Sequence, residues 1–200
     1  MAHEIWGKDI SALKGKTARS KPTHVAGDIV KIIREYKLLL KSVFIKADIF
    51  FVNGAPLFTT LSRKIDFLGI SHLIGRKVQN IFQAYKSLHR YYLRRGFRIT
   101  TLHADGEFVP LKELIEGMPG GPYINLTGAN EHVPEIERGI RVVKERSRDL
   151  RHNLPYNKIP LIMTIRGILV IARMLNQFPT KNGISNTFSP KIILSRESLD

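Results

Sequence analysis

The chain contains no cysteine in its 200 residues, which excludes disulfide bonds and thiolate metal sites. A secretion signal is also absent from the first residues. The longest apolar run, residues 159–175, is interrupted by Arg166 and Arg173, so a membrane span is not expected. These absences favour an intracellular protein, nuclear or cytoplasmic, that works without a membrane.

Acidic residues are scarce relative to basic ones. The chain has 17 Asp and Glu against 32 Lys and Arg, a formal net charge of +15. Such a charge produces a long-range positive field that favours a polyanionic partner, with nucleic acid as the first candidate. A ribosomal or generic basic protein would have the same total, so the placement of the charge has to decide.

The composition is that of one domain with extensions, because 43% hydrophobic residues in a chain of this length can bury a real core. We interpret residues 1–24 as a flexible basic leader, residues 25–41 as a packing helix, and residues 42–200 as the core domain with C-terminal helices and a tail. Within the core, Asn53-Gly54 separates two β-branched and aromatic runs and predicts a hairpin. The element order (three strands, helix, strand, helix, strand, two helices) predicts an α/β sheet with helices on both faces.

Two predicted helices carry basic residues at helical spacing. In the helix over residues 76–95, Lys86, Arg90 and Arg94 follow one another at four-residue steps. A second helix begins at Pro134 and buries an apolar stripe that includes Ile136 and Ile140. On its other side an acid is continued by a basic row: Glu137, Arg141, Lys144, Arg148 and Arg151. This order suits a nucleic-acid strand that lies along the helix, because the acid would hold a metal ion at one phosphate and the cations would contact the phosphates that follow.

Three carboxylates are candidates for a metal site. Asp48 lies inside an apolar strand, where an ionised carboxylate is costly to bury without a partner; a salt-bridged or half-exposed strand residue is the alternative to a functional role. Asp105 ends a second apolar run and precedes Gly106, which lets the backbone turn. Glu137 lies one turn inside its helix. His103 and His132 are close to the acids in sequence. Either histidine could bind a metal ion or shuttle protons, as an alternative to a site made of carboxylates alone.

These residues carry a resemblance to a known family. Asp105-Gly106-Glu107-Phe108, Ile136-Glu137-Arg138 with the basic helix after it, residues 175–181 (LNQFPTK) and Ser189-Pro190 together resemble the integrase core of copia-type long-terminal-repeat retrotransposons. That family belongs to the ribonuclease H-like superfamily and has an Asp, Asp, Glu active site.

The sequence departs from the family pattern in front of the third acid. The interval between Asp105 and Glu137 holds 31 residues (106 to 136), which is shorter than is usual, and the family's Pro-Gln-Gln-Asn-Gly run is replaced by residues 129–133. Glu131 and Glu135 therefore remain rivals of Glu137.

The resemblance implies a mixed five-stranded sheet flanked by helices on both faces, in which the first and fourth strands are neighbours. It implies Asp48, Asp105 and Glu137 as catalytic ligands of two Mg²⁺ or Mn²⁺ ions, which lie about 3.5–4 Å apart in such sites. The expected nucleic-acid-binding residues are cationic side chains of the two helices: Arg138, Arg141, Lys144, Arg148, Arg151, Lys86, Arg90 and Arg94.

The activity implied is a polynucleotidyl transfer that trims element DNA ends and joins them to target DNA. The expected partners are these DNAs and further copies of the chain in a homo-oligomer. The zinc module, reverse transcriptase and protease of a complete element are absent from the chain, which favours a piece of a larger polyprotein. Two alternatives remain: a decayed or domesticated DNA-binding domain without chemistry, and another nuclease of the same fold.

Overall fold

The computed structural model describes residues 41–126, 134–181 and 183–195. The predicted leader, nearly all of the predicted packing helix, Glu131, His132 and the last five residues of the tail lie outside the described residues. Eleven elements are formed by the described residues. In chain order they are β1 (Ser42–Val52), β2 (Ala55–Ser62), β3 (Leu68–His72), α1 (Val78–Leu93), β4 (Arg98–Ala104), a 3₁₀ helix (Gly106–Leu111), α2 (Lys112–Glu116), β5 (Tyr123–Leu126), α3 (Pro134–Asn153), α4 (Leu161–Leu175) and α5 (Pro190–Ser195).

The strands of the described residues form one five-stranded sheet in the order β3-β2-β1-β4-β5. The β3–β2 and β2–β1 pairs are antiparallel, whereas the β1–β4 and β4–β5 pairs are parallel. The predicted mixed sheet is thus confirmed, and so is the expectation that the first and fourth strands are neighbours. Because Lys46 pairs with His103, the end of β4 lies beside the middle of β1, close to Asp48.

The hairpin between β1 and β2 follows from its two turn residues. Asn53 and Gly54 both have positive φ, 49° and 80°, the backbone that a two-residue turn needs to match the twist of the strands. The pairing starts at once with Val52 opposite Ala55 and runs to Ile45 opposite Ser62. This long pairing fixes which face of β1 each side chain occupies.

Helices cover both faces of the sheet, as the sequence predicted. On one face, α1 packs through Ile81 and Tyr85 against buried β1 residues such as Ile45. On the other face, α3 and α4 pack through Ile136 and Ile168 against the β1 residue Phe50 and β2. None of the helices in the described part of the chain has the length and hydropathy that a membrane crossing requires.

The segment after α4 is tied to the edge strand by an amide side chain. The Leu68 N–H donates to Asn176 Oδ1 and Asn176 Nδ2 donates to the Leu68 carbonyl, both at 2.8 Å. Asn176 is buried, so its side chain satisfies backbone groups at the start of β3 that burial would otherwise leave unpaired. This contact fixes the end of α4 beside the β2–β3 turn.

Candidate active site

A β-bulge aligns the first two acids. In the β1–β4 pairing Val43 lies opposite Ile99 but Phe44 lies opposite Thr101, so Thr100 is an extra residue. Its hydroxyl donates to the Val43 carbonyl at 3.4 Å. After the bulge Lys46 lies opposite His103, and the same register, continued by two residues, brings Asp48 level with Asp105. Without the extra residue Asp105 would face the other side of the sheet, because side chains alternate along a strand.

Asp48 is half-buried on the face of β1 that α3 covers. Its Oδ1 accepts a hydrogen bond from the Ile49 N–H at 2.7 Å. Burial raises the pKa of the Asp48 carboxyl above its ordinary value; the bond from Ile49 opposes this, and repulsion by Asp105, Glu107 and Glu137 adds to it. The acids therefore act on one another electrostatically, although they come from three separate parts of the chain.

Asp105 lies directly after β4 and begins the 3₁₀ helix. Its Oδ1 accepts from the Glu107 N–H at 3.1 Å, the bond that caps the helix. Glu107, which also raises the pKa of Asp48, is an acid that the sequence reasoning passed over. The Arg76 guanidinium forms an ion pair with it. Its position two residues after Asp105 is the feature of the sequence that could have identified it as a further acid of the site.

The third candidate acid comes from the first turn of α3. Glu137 lines a cleft of about 450 Å³ together with Asp48, Phe50, Ile140, Arg141, Lys144 and Arg148, whereas Asp105 is not among the described residues that line it. The geometry separates Glu137 from its rival Glu135. Glu135 is paired with Lys46 Nζ at 2.5 Å, and this bond is the main reason that its pKa lies below its ordinary value. Glu131 lies outside the described residues.

The basic row of α3 continues from the same cleft. Arg141, Lys144 and Arg148 line it beside the acids, and the Lys144 ammonium lies 5.6 Å from the centre of the Phe50 ring. Arg148 and Arg151 line the adjoining cavity of about 780 Å³ between α3, α4 and the β1–β2 hairpin. The predicted row thus forms a continuous cationic surface that begins at the acids.

The other predicted cations are elsewhere. Arg138 follows Glu137 in sequence but lines a second groove with Glu135, on the opposite flank of the buried stripe of α3. Lys86 and Arg90 belong to α1 and Arg94 is its C-cap residue; α1 covers the opposite face of the sheet. The structure therefore does not bring these three side chains to the acids.

His103 lies on β4 two residues before Asp105, and its ring packs 4.5 Å from that of Phe44. Burial is the main cause that lowers the pKa of His103, and the nearby Lys46 and Arg63 lower it further. A neutral ring can accept a hydrogen bond, and Asn125 Nδ2 lies 3.0 Å from His103 Nε2. This nitrogen is thus engaged by β5, while His132 lies outside the described residues.

The donor chemistry of the cleft fits a hard divalent cation, because carboxylate oxygens are the ligands that Mg²⁺ and Mn²⁺ prefer. A cation would also relieve the repulsion that raises the pKa of Asp48. The positions of the acidic side chains fit a metal site less well than their chemistry does. Among the described residues, no group of three or more His, Asp or Glu side chains converges closely enough to hold a metal ion.

Comparisons with known proteins bear on the fold. No protein-family model matches the chain, and no curated protein matches it. Among solved structures the chain is similar to the catalytic core domain of BIV integrase, with a TM-score of 0.54 and 15% sequence identity. The match covers 76% of this chain and 93% of that one. The chain therefore has the ribonuclease H-like α/β fold of an integrase catalytic core.

Proposed function

We propose that the chain is the catalytic core of an integrase, a metal-dependent polynucleotidyl transferase that trims element DNA ends and joins them to target DNA. The observation that carries the proposal is the alignment of Asp48 with Asp105 by the bulge in β4, with Glu137 lining the same cleft as Asp48. The fold shared with an integrase core supports it. A copia-type element is the origin that the sequence motifs favour.

Asp48, Asp105 and Glu137 are the residues that would hold two Mg²⁺ or Mn²⁺ ions. Bound ions in such a site activate the attacking oxygen and stabilise the leaving one. The protein's own contribution is to hold the carboxylates in place. Asp48 is fixed by the Ile49 N–H and Asp105 by its cap on the 3₁₀ helix, so their orientation does not depend on a ligand.

The basic row would hold the DNA backbone. Arg141, Lys144 and Arg148 follow Glu137 along the cleft, so a strand whose reacting phosphate lies at the acids continues over cations at roughly one contact per helical turn. The activity is expected to require a homo-oligomer, with the chain acting as part of a larger polyprotein in the nucleus or the cytoplasm. These features are part of the proposal and rest on the motifs alone.

A strand-transfer assay with labelled duplex ends in Mg²⁺ and Mn²⁺ tests the proposal. Asp48→Asn, Asp105→Asn and Glu137→Gln should each abolish cleavage and joining, a loss of at least about 10²-fold, because removing one preorganised charge-stabilising group costs that much. DNA binding should persist. Glu113→Gln is the matched control, since Glu113 is an exposed acid of α2 outside the cleft.

Two results would change the assignment. Retained activity in Glu137→Gln, with loss in Glu131→Gln or in Glu135→Gln, would show that the glutamate whose replacement abolishes activity is the third acid. Cleavage without joining would indicate another nuclease of the same fold.

A DNA-binding domain without catalysis is the second candidate. It is favoured by one observation: within the described residues the acids do not form a group of three that could hold a metal ion. This candidate predicts DNA binding that depends on the basic row and no metal-dependent cleavage at any concentration of Mg²⁺ or Mn²⁺. The same assay therefore separates the two functions.

A further inference from the structure

A groove of about 630 Å³ lies between α3, the β2–β3 turn and the segment after α4. We call it the turn groove. Its floor is apolar and is formed by Leu61, Leu68, Val142 and Leu175. Its rim is cationic and is formed by Arg63, Lys64, Arg138 and Lys181.

Tertiary contacts hold the walls of the turn groove together. The Ile184 N–H donates to the Lys64 carbonyl at 2.9 Å, and the Thr180 hydroxyl donates to Asp66 Oδ2 at 2.8 Å. Lys64 and Asp66 have positive φ, 72° and 57°, a backbone that non-glycine residues keep only where their surroundings impose it. The turn and the segment carrying Lys181 are therefore preorganised against each other.

The turn groove has an excess of positive charge. Among its described lining residues, the four rim cations face two acids, Asp66 and Glu135. Both acids have partners of their own: Asp66 accepts from Thr180, and Glu135 is paired with Lys46. Asp66 keeps its charge, because the Thr180 hydroxyl is neutral, and Glu135 is attracted to Arg63 and Arg138 as well as to Lys46. Four cations against two acids still leave the rim positive, so the groove favours an anion.

The turn groove lies beside the cleft that Asp48 and Glu137 line. Lys46 is two residues before Asp48 on the same face of β1, and Glu135 is two residues before Glu137 in α3. The Lys46–Glu135 ion pair thus lies between the cleft and the groove. A strand in the groove would reach the acids from the flank of α3 opposite to Arg141.

We propose that the turn groove binds an unpaired nucleic-acid strand, with phosphodiester oxygens on the cationic rim and the face of a base on the apolar floor. Duplex DNA could use the rim only, because its base faces are stacked inside the helix. The inference deepens the proposed function, on which it rests for the class of polyanion. It adds a second strand-binding surface, separate from the basic row.

Binding of a labelled oligothymidylate and of a duplex of equal length, measured by fluorescence anisotropy in EDTA over a range of salt, tests this. Arg63→Ala and Lys181→Ala should each weaken oligothymidylate binding several-fold and lower the slope of log K against log salt by about 0.7, the value per phosphate contact for single strands. Duplex binding should change much less. Val142→Ser should weaken oligothymidylate binding without changing the slope.

Arg173→Ala is the matched control, because Arg173 is an exposed cation of α4 that lines neither the cleft nor the turn groove. Thermal melting checks that every variant is folded. Equal losses in Arg173→Ala would overturn the inference, as would equal losses for duplex and oligothymidylate. Competition by polyglutamate as strong as that by unlabelled oligothymidylate would assign the groove to an acidic protein instead.

The two proposals fail separately. Binding in EDTA needs no chemistry, so absence of joining together with selective loss of oligothymidylate in the groove variants would overturn the proposed function and support the groove. Metal-dependent joining with unchanged oligothymidylate binding in Arg63→Ala and Lys181→Ala would overturn the groove alone.

Discussion

At the scale of single residues, Asp48 carries the electrostatic strain of the cleft. Its carboxyl is half-buried and is repelled by Asp105, Glu107 and Glu137, so its pKa lies above the ordinary value of 3.8. A carboxyl with a raised pKa binds its proton more tightly in the folded protein than in the unfolded chain. The folded state is therefore penalised as pH rises through the interval above 3.8, and the penalty is fully present at neutral pH.

Asp48→Asn should consequently melt at a higher temperature than wild type in EDTA at pH 7. The amide removes the charge and retains an oxygen for the Ile49 N–H. The advantage of the variant should shrink as pH falls toward 3.8, because the wild-type carboxyl then binds a proton and becomes neutral, as the amide already is. Calorimetry across this range measures the difference, and Glu113→Gln serves as the control.

Divalent ions should reverse the order of stability. Ions that bind only the folded protein add about 2.7 kcal/mol at a hundredfold excess over Kd, so Mg²⁺ or Mn²⁺ should raise the wild-type midpoint and scarcely move that of Asp48→Asn. Identical melting of the two proteins with and without metal would show that the acids do not form a site. The DNA-binding candidate would then be the better one.

At the scale of elements, α3 presents different chemistry on each flank of its buried stripe. One flank carries Glu137 and the row that begins with Arg141, and the other carries Glu135 and Arg138. The sheet also positions one of the acids, since the extra residue Thr100 in β4 sets which face of the sheet Asp105 occupies. The register of α3 therefore places Glu137 on the cleft, and the bulge in β4 brings Asp105 level with Asp48.

The basic row should bind duplex DNA without regard to sequence. Replacing Arg141, Lys144 or Arg148 with Ala should weaken binding to unrelated duplexes about equally and lower the slope of log K against log salt by roughly 1 for each contact removed. Titrations at several salt concentrations measure the slope. Arg90→Ala on α1, which covers the other face of the sheet, provides the comparison, and equal effects there would extend the DNA-binding surface to α1.

At the scale of the whole molecule, the end of α4 is held to the sheet by Asn176. Asn176→Ala would leave the buried N–H and carbonyl of Leu68 without their partners, and each unsatisfied buried group costs about 1–3 kcal/mol. We expect a loss of about 2 kcal/mol or more in urea unfolding, together with weaker oligothymidylate binding as the turn groove loosens. Gln177→Ala, the neighbouring amide, should have a small effect.

The sequence by itself determined the elements and much of their arrangement, because the signals are local. Asn53-Gly54 favours a tight hairpin, Pro134 begins a helix whose apolar spacing fixes its buried face, and the order of strands and helices predicts an α/β sheet with helices on both faces. The mixed five-stranded arrangement was implied by the family resemblance. Asp48, Asp105 and Glu137 could be selected as candidates, since each is an acid placed at a strand or at the start of a helix.

Only the tertiary structure decided which of these residues meet. The bulge at Thr100 and the Lys46–Glu135 pair depend on how distant segments pack. No local pattern in the amino-acid sequence indicates the register shift at the bulge. For the same reason the basic residues of α1 and α3 looked alike in sequence but lie on opposite faces of the sheet. The turn groove joins Arg63, Arg138 and Lys181 because packing, and not spacing along the chain, brings its three walls together.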